Sequence, residues 1–258
     1  MNTTGENNYS IASVEKAFTV LEYIVRHTSN VSAIEIHSQT GIAKPTLHKI
    51  LQTLKELGYI DQNPDTSHYF ATMKLLQTAY HSINRHDFFK TYYPYILMYM
   101  RRFHCPCSLV IYSGTDSVIV YSSVGTSNVI VDNTRIIGCT LPLYASSSGR
   151  LLLSSLDENL AKELLAAVPL TPLTGCTLCT VDEIMDFVRG IKKKGYCRID
   201  GEIYYGFSNV AFPLHDTTGR MIGSMNFVIP KDQVDTIMSE ETVSEILTTM
   251  DKVRLKIV

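Results

Sequence analysis

No stretch of this chain stays apolar for the roughly 18 residues that a membrane span needs. The polar opening MNTTGENNYS has no apolar core behind a basic cap. The expectation is a cytoplasmic protein with no membrane partner. A surplus of charge is missing too: 23 Lys and Arg stand against 25 Asp and Glu, for a net charge of −2. No global basic field is available to hold nucleic acid, so any such affinity must come from a local patch. The chain has no internal repeat and no low-complexity segment. With 45% hydrophobic and 19% charged residues over 258 positions, it reads as one large or two modest globular domains.

Cysteines are few and poorly spaced for metal. There are six, expected to be reduced. Structural zinc needs four ligands, usually as two matched pairs. Only Cys176-Thr-Leu-Cys179 has C-x-x-C spacing, Cys105-Pro-Cys107 lies far upstream, and no histidine follows at finger spacing. Neither a metal nor a cofactor is expected. Hydrolase motifs such as G-x-S-x-G and H-E-x-x-H are also missing, so no catalytic residue is assigned and no enzyme is expected.

What is present is a local concentration. The first 93 residues hold eight basic and eight acidic side chains, yet Thr40 to Lys55 contains three lysines and a histidine and no acid. Val14, Ala17, Phe18, Leu21, Ile24 and Val25 recur at helical spacing, with Ser13 as their N-cap. Ser32 with Glu35 predicts a capping box on a second helix, which Gly41 ends. Pro45 belongs to the first turn of a third helix, where its missing N–H removes no bond. Leu47, Ile50, Leu51, Leu54 and Leu57 form the apolar face of that helix, and Gly58 closes it. Two extended pieces, Tyr59–Gln62 and His68–Ala71, flank the turn Asn63-Pro64-Asp65. This is the winged helix-turn-helix order.

In that arrangement the third helix lies in the major groove and offers the side chains of its first turns to base edges. Lys44, Thr46, His48 and Lys49 follow Pro45 or flank it, and lysine and threonine both suit base contacts. Gln52 and Lys55, with Thr40 and with Ser67 or His68 at the wing, are positioned for phosphates, and Thr53 is a further DNA-binding candidate. His37 reads as a partly buried, satisfied histidine on the inner side of the second helix.

From Thr72 to about His104 the pattern is helical, broken near Pro94. Beyond it come short strands at Cys107–Tyr112, Val118–Val124, Val129–Asp132 and Arg135–Leu141. Helices follow at Ser147–Ser155, Asn159–Ala167 and Val181–Lys194, the last with a Thr180/Glu183 capping pattern. Strands near Asn209–Leu214 and Met221–Ile229 and a final helix over Asp232–Leu255 complete an α+β domain with an antiparallel sheet. In PLYASSSGRLL, Ser146, Ser147, Ser148 and Gly149 stand where a loop turns into a helix. Such an N-terminus suits a carboxylate, although serines also cap helices with nothing bound.

SIASVEKAFTVLEYI, TGIAKPTLHKILQTLKELGYI, CTLPLYASSSGRLLLSSL and KKKGYCRIDGEIYYGFSNVAFPLHDTTGRMIGSMNFVIP together resemble the IclR family of bacterial transcription regulators. The resemblance runs from about residue 10 to 255. It implies a flexible tail (1–9), a winged helix-turn-helix domain (10–72), a linker helix (73–93) and a GAF-like effector-binding and oligomerisation domain (94–258). It further implies a homodimer or homotetramer on double-stranded operator DNA, regulating a catabolic operon. The implied effector is a small organic acid, whether sugar acid, keto acid or aromatic acid. Carried over, the pocket comprises Ser146, Ser147, Ser148, Gly149, Asp200, Glu202, Asn209, Asn226 and Val228.

Some positions depart from the family pattern. Pro45-Thr46 stand where Ser-Thr is common, and Lys49 where arginine is common. Tyr144 replaces a histidine, and Asn209 and Asn226 replace cysteine or serine. An alternative of another class is a GAF-like thiol-dependent enzyme, which would need Cys139, Cys176, Cys179 or Cys197 reactive in the cavity.

Overall fold

The computed structural model describes residues 10–85, 88–123 and 137–254. The chain divides into two compact units, residues 1–82 and 83–258.

In the first unit, α1 (Ala12–Arg26) starts behind Ile11, so Ser13 lies inside the helix rather than capping it. Val20, Leu21 and Ile24 are buried, whereas Val14, Phe18 and Val25 remain about half exposed. α2 (Ala33–Thr40) has the full capping box: Glu35 N–H donates to Ser32 Oγ at 3.2 Å, and Ser32 N–H donates to Glu35 Oε2 at 2.7 Å. Gly41 ends it at φ 68°, a left-handed conformation that a side chain would strain. His37 Nδ1 meets the Ile42 carbonyl at 2.7 Å, a satisfied ring. In α3 (Lys44–Glu56) Pro45 is the second residue, and Leu47, Ile50, Leu51 and Leu54 are buried. Leu57, expected on that face, caps the helix and is exposed. β1 (Ile60–Gln62) pairs antiparallel with β2 (Tyr69–Ala71). Asn63 Oδ1 accepts the N–H groups of Asp65 and Thr66 and so shapes the wing turn. α4 follows over Lys74–Arg85.

The second unit is a three-layer sandwich. α5 (Phe88–Phe103) passes through Pro94 unbroken, against the expected break there. The sheet has the order β4-β3-β7-β6-β5, antiparallel throughout: β3 (Cys107–Ser113), β4 (Asp116–Ser122), β5 (Cys197–Asp200), β6 (Phe207–His215) and β7 (Met221–Pro230). Between β4 and β5 run α6 (Ser147–Ser155), α7 (Glu158–Ala166) and α8 (Val181–Lys194). β5 is a strand that the sequence pattern did not indicate. The expected strand Val129–Asp132, and the first two residues of Arg135–Leu141, lie outside the described residues. Residues 137–141 form a turn and one isolated bridge, Thr140 to Val118. The expected final helix is two, α9 (Val234–Ile237) and α10 (Glu240–Lys252), separated where Ser239 caps the second.

Alternation along the strands gives each sheet face its own core. Tyr92, Ile96, Tyr99 and Phe103 of α5 and Val243, Ile246 and Met250 of α10 pack against Val210, Phe212, Met225 and Phe227. On the other face Leu151, Leu153, Ile184 and Val188 pack against Cys197, Ile199 and Ala211. Thr180 caps α8 through Glu183 N–H at 3.3 Å, while the Glu183 carboxylate meets the Thr180 hydroxyl, giving half of the expected box. Pro213 sits where β6 outruns β5, so its missing N–H leaves no ladder bond unmade.

Candidate functional site

On α3 the buried face leaves Lys44, Pro45, His48, Lys49, Gln52, Thr53 and Lys55 exposed and Thr46 half-buried. Three of these are already engaged. Gln52 Nε2 donates to Glu56 Oε1 at 3.0 Å, Thr53 Oγ1 donates to the Lys49 carbonyl at 2.9 Å, and Lys55 Nζ lies 3.8 Å from Asp61. Lys44, His48 and Lys49 carry no side-chain bond to any described residue. No acid lies in the first turn, so the positive end of the helix dipole reinforces the two lysines. Thr46, Lys49 and Thr53 also share a cavity of about 490 Å³ with Val14, Ala17 and Phe18 of α1. The helix therefore has an outward ridge of Lys44, His48 and Gln52, and a flank beside α1.

In the second unit the serine loop enters α6 at the centre of the fold, and Ser147 to Ser154 are all buried. Ser146 is the N-cap: its Oγ accepts from Gly149 N–H at 2.9 Å and donates to the Pro142 carbonyl at 2.7 Å. The N–H groups of Ser147 and Ser148 begin the helix and have no intrahelical partner. A Cβ on Gly149 would lie 2.5 Å from Leu143 Cα and 2.8 Å from the Pro142 oxygen. The glycine admits the chain's own backbone.

Register decides which distant residues reach this loop. Asn209 pairs with Val228, and Asn226 with Ala211 and Ser108, so both asparagines and Val228 share the α6 side of the sheet. Ser148 Oγ donates to Asn226 Oδ1 at 2.7 Å, and Ser224 Oγ lies 3.2 Å from Ser148 Oγ. Tyr112 donates to the Ser148 carbonyl at 2.9 Å, and burial raises its pKa. Asn209 Nδ2 is buried and has no partner.

Two residues carried over from the resemblance are placed differently. Asp200 pairs with Ser208 and takes hydrogen bonds from Ser208 Oγ and Arg198 Nε. It therefore lies on the opposite face from Asn209, and is removed from the pocket by strand alternation. Burial opposes its ionisation, but those two bonds outweigh burial and hold its pKa below the usual carboxylate value. Glu202 is on the correct side, but its carboxylate is fully engaged. It accepts Arg150 Nη1 at 2.6 Å, Nη2 at 2.5 Å and Leu178 N–H at 3.0 Å.

Arg150 was not singled out in the sequence. It is wholly buried, donates from Nε to the Tyr144 carbonyl at 2.7 Å, and lies 4.6 Å over the Phe187 ring. Its signal was a charge inside SSSGRLLLSS, a helix with no solvated face to receive it. Ser224 and Tyr112 were missed as well, since only strand pairing brings them to Ser148.

The three buried thiols, Cys105, Cys107 and Cys197, offer little nucleophilicity. Burial pushes Cys197 up to about 12 and Cys105 up to about 12, and it holds Cys107 well above the ordinary thiol value. No group of three or more His, Cys, Asp or Glu among the described residues is arranged to hold a metal. No helix of the described residues is long and apolar enough to cross a membrane.

Comparison with known proteins agrees along the chain. Residues 13–64 match the IclR helix-turn-helix domain, and residues 80–255 match the C-terminal domain of the bacterial transcriptional regulator IclR. The HTH-type transcriptional regulator XynR of Escherichia coli is 28% identical over 225 residues, 87% of this chain and 88% of that protein. The Pca regulon regulatory protein of Pseudomonas putida is 23% identical over 86% of this chain and 75% of its own length. An IclR homolog from Microbacterium hydrocarbonoxydans, solved with 4-hydroxybenzoate, superimposes with a TM-score of 0.74 at 19% identity, covering 93% of this chain and 99% of that one. With helix-turn-helix, α+β domain and both family matches in their expected order, the chain belongs to the IclR family of bacterial transcriptional regulators.

Proposed function

We propose that this regulator reads operator DNA of a catabolic operon through α3 and responds to a small organic acid held at the start of α6. The observation that carries the DNA reading is the set of unengaged cations, Lys44 and Lys49 with His48, at the acid-free beginning of α3. Lys49 and Thr46 contact bases; Lys44, Gln52 and Lys55 contact phosphates. For the effector, support comes from the unpartnered Asn209 Nδ2 and the free first N–H groups of α6. A carboxylate satisfies both. Asn226, Ser147, Ser148 and Val228 complete the pocket, and Arg150 with Glu202 holds it in shape.

The protein works in the cytoplasm as a homodimer or homotetramer and catalyses no reaction. An effector changes DNA affinity only if it binds the two arrangements of the DNA-binding units with different affinity. The residues from α4 into the start of α5 connect those units to the effector domain.

The test pairs two titrations. Operator affinity is measured against salt for the wild type, Lys49→Ala and Thr46→Ala. Each variant is expected to weaken binding roughly tenfold or more, for about 1–3 kcal/mol per lost base contact, with the melting temperature unchanged. Thermal shifts are then recorded with sugar, keto and aromatic acids, with and without promoter DNA. Asn209→Leu should abolish the acid-induced shift and leave DNA binding without ligand intact. DNA affinity that ignores salt, or survives both α3 substitutions, sinks the reading of α3.

A further inference from the structure

The five-stranded sheet has two edges, and the described residues cover only one. Along β4 lies the chain's own segment 138–141: Ile119 N–H donates to the Cys139 carbonyl at 3.0 Å, and Leu141 N–H to the Ser117 carbonyl at 3.0 Å. β5 ends the sheet on the other side. Its ladder with β6 continues through Gly201 N–H to the Phe207 carbonyl at 2.8 Å, and this bond sets the parity. Ile199 faces β6 with its main chain, whereas the N–H and C=O of Arg198 and Asp200 point outward. No described residue bonds to them. An open edge of this kind is a template for another strand. Beside it lies a groove of about 500 Å³, whose lining includes Asp186, Gly190 and Lys194 of α8 with Tyr196, Arg198 and Asp200.

The charges along this groove are arranged about two centres. On β5, Arg198 and Asp200 flank Ile199. On α8, Asp186 and Lys194 flank Gly190, each four residues away and on one helix face. A two-fold axis sets residue i of one copy against j of the other, and j against i. Centred on Ile199, it places Arg198 opposite Asp200 of a second copy, twice over. Those are the residues with outward main-chain groups, so four backbone bonds form with the two ion pairs.

Shifting the register to centre on either charged residue sets Arg198 against Arg198, or Asp200 against Asp200, which like charge opposes. The same axis runs two α8 helices antiparallel, with Asp186 facing Lys194 and the Gly190 residues at the crossing. A Cβ on Gly190 would meet nothing within 4 Å, so packing within the chain does not require a glycine there. Within one chain Arg198 already holds Asp200 at 2.9 Å and Asp235 at 2.5 Å, both near the surface.

We propose that the β5 edge and the outward face of α8 form a two-fold surface on which a second copy of this chain docks, continuing the sheet from five strands to ten. The surface is separate from the proposed effector pocket and does not depend on it.

Sedimentation velocity on the full chain over a concentration series tests the proposal. Gly190→Arg is expected to remove one two-fold step, halving the mass, while thermal melting shows that it folds. Asp186→Lys and Lys194→Asp should each weaken association. The double swap D186K/K194D should restore it, because the swapped pattern is still complementary about Gly190. A wild type that stays monomeric throughout overturns the proposal. So does a folded Gly190→Arg of unchanged mass, or a double swap that fails to recover. If Gly190→Arg does not fold, the swap series decides.

Discussion

Gly149 and Arg150 are neighbours that serve the same turn by opposite means, one by what it lacks and one by its charge. Gly149 lets Pro142 and Leu143 cross at a distance no Cβ tolerates. Gly149→Ala should therefore displace the serine loop, lowering the melting temperature and the effector-induced shift together. Arg150 ties that loop to Glu202 in a bidentate pair shielded from water. Removing one partner leaves the other charge buried and uncompensated, which costs about 3–5 kcal/mol. Glu202→Ala is thus expected to show a large loss in denaturant stability with no ligand present. A stability within about 0.5 kcal/mol of wild type would mean that Glu202 serves the effector instead.

At the scale of elements, two signals that span three or four residues hold in full, whereas Ser13 lies inside α1 and Thr180 with Glu183 forms half a box. Ser32 and Glu35 form their box, and Pro45 starts α3. Ser32→Ala should cost about 1 kcal/mol in urea unfolding, because the Glu35 N–H loses its acceptor. Signals that a competing packing term could outweigh were misread. A proline inside a helix costs about 3 kcal/mol. Burying Tyr92, Ile96 and Tyr99 on the sheet returns about 1.5–3 kcal/mol for each side chain, so α5 continues through Pro94. β5 escaped notice because four residues, Cys197 to Asp200, are too few to establish a period. Their partner β6 makes them a strand.

For the molecule as a whole, acid should be less well tolerated than neutral pH. Burial lowers the pKa of His215 from its ordinary 6.5, Arg254 lowers it further, and Asp251 and Asp216 oppose them. The unfolded chain then binds the extra proton first. Stability from the neutral ring is complete above about pH 6.5 and is lost as pH falls through the lower folded value. Melting temperatures should drop across that window, and His215→Gln should flatten the drop. On the proposed reading of α3, operator affinity should in contrast fall steeply with salt.

Legible in the residues alone are the capping box of α2, the apolar face of α3 from Leu47 to Leu54, the wing turn and the order of elements that places the chain in its family. Each of these depends on residues a few positions apart, whose proximity the chain guarantees. The tertiary structure adds that Asn209 lies on the sheet face of the serine loop and Asp200 on the other, that Arg150 meets Glu202 across 52 positions, and that Ser148 meets Asn226 across 78. Strand alternation makes facing a matter of register, and register belongs to the pairing of two segments rather than to either one.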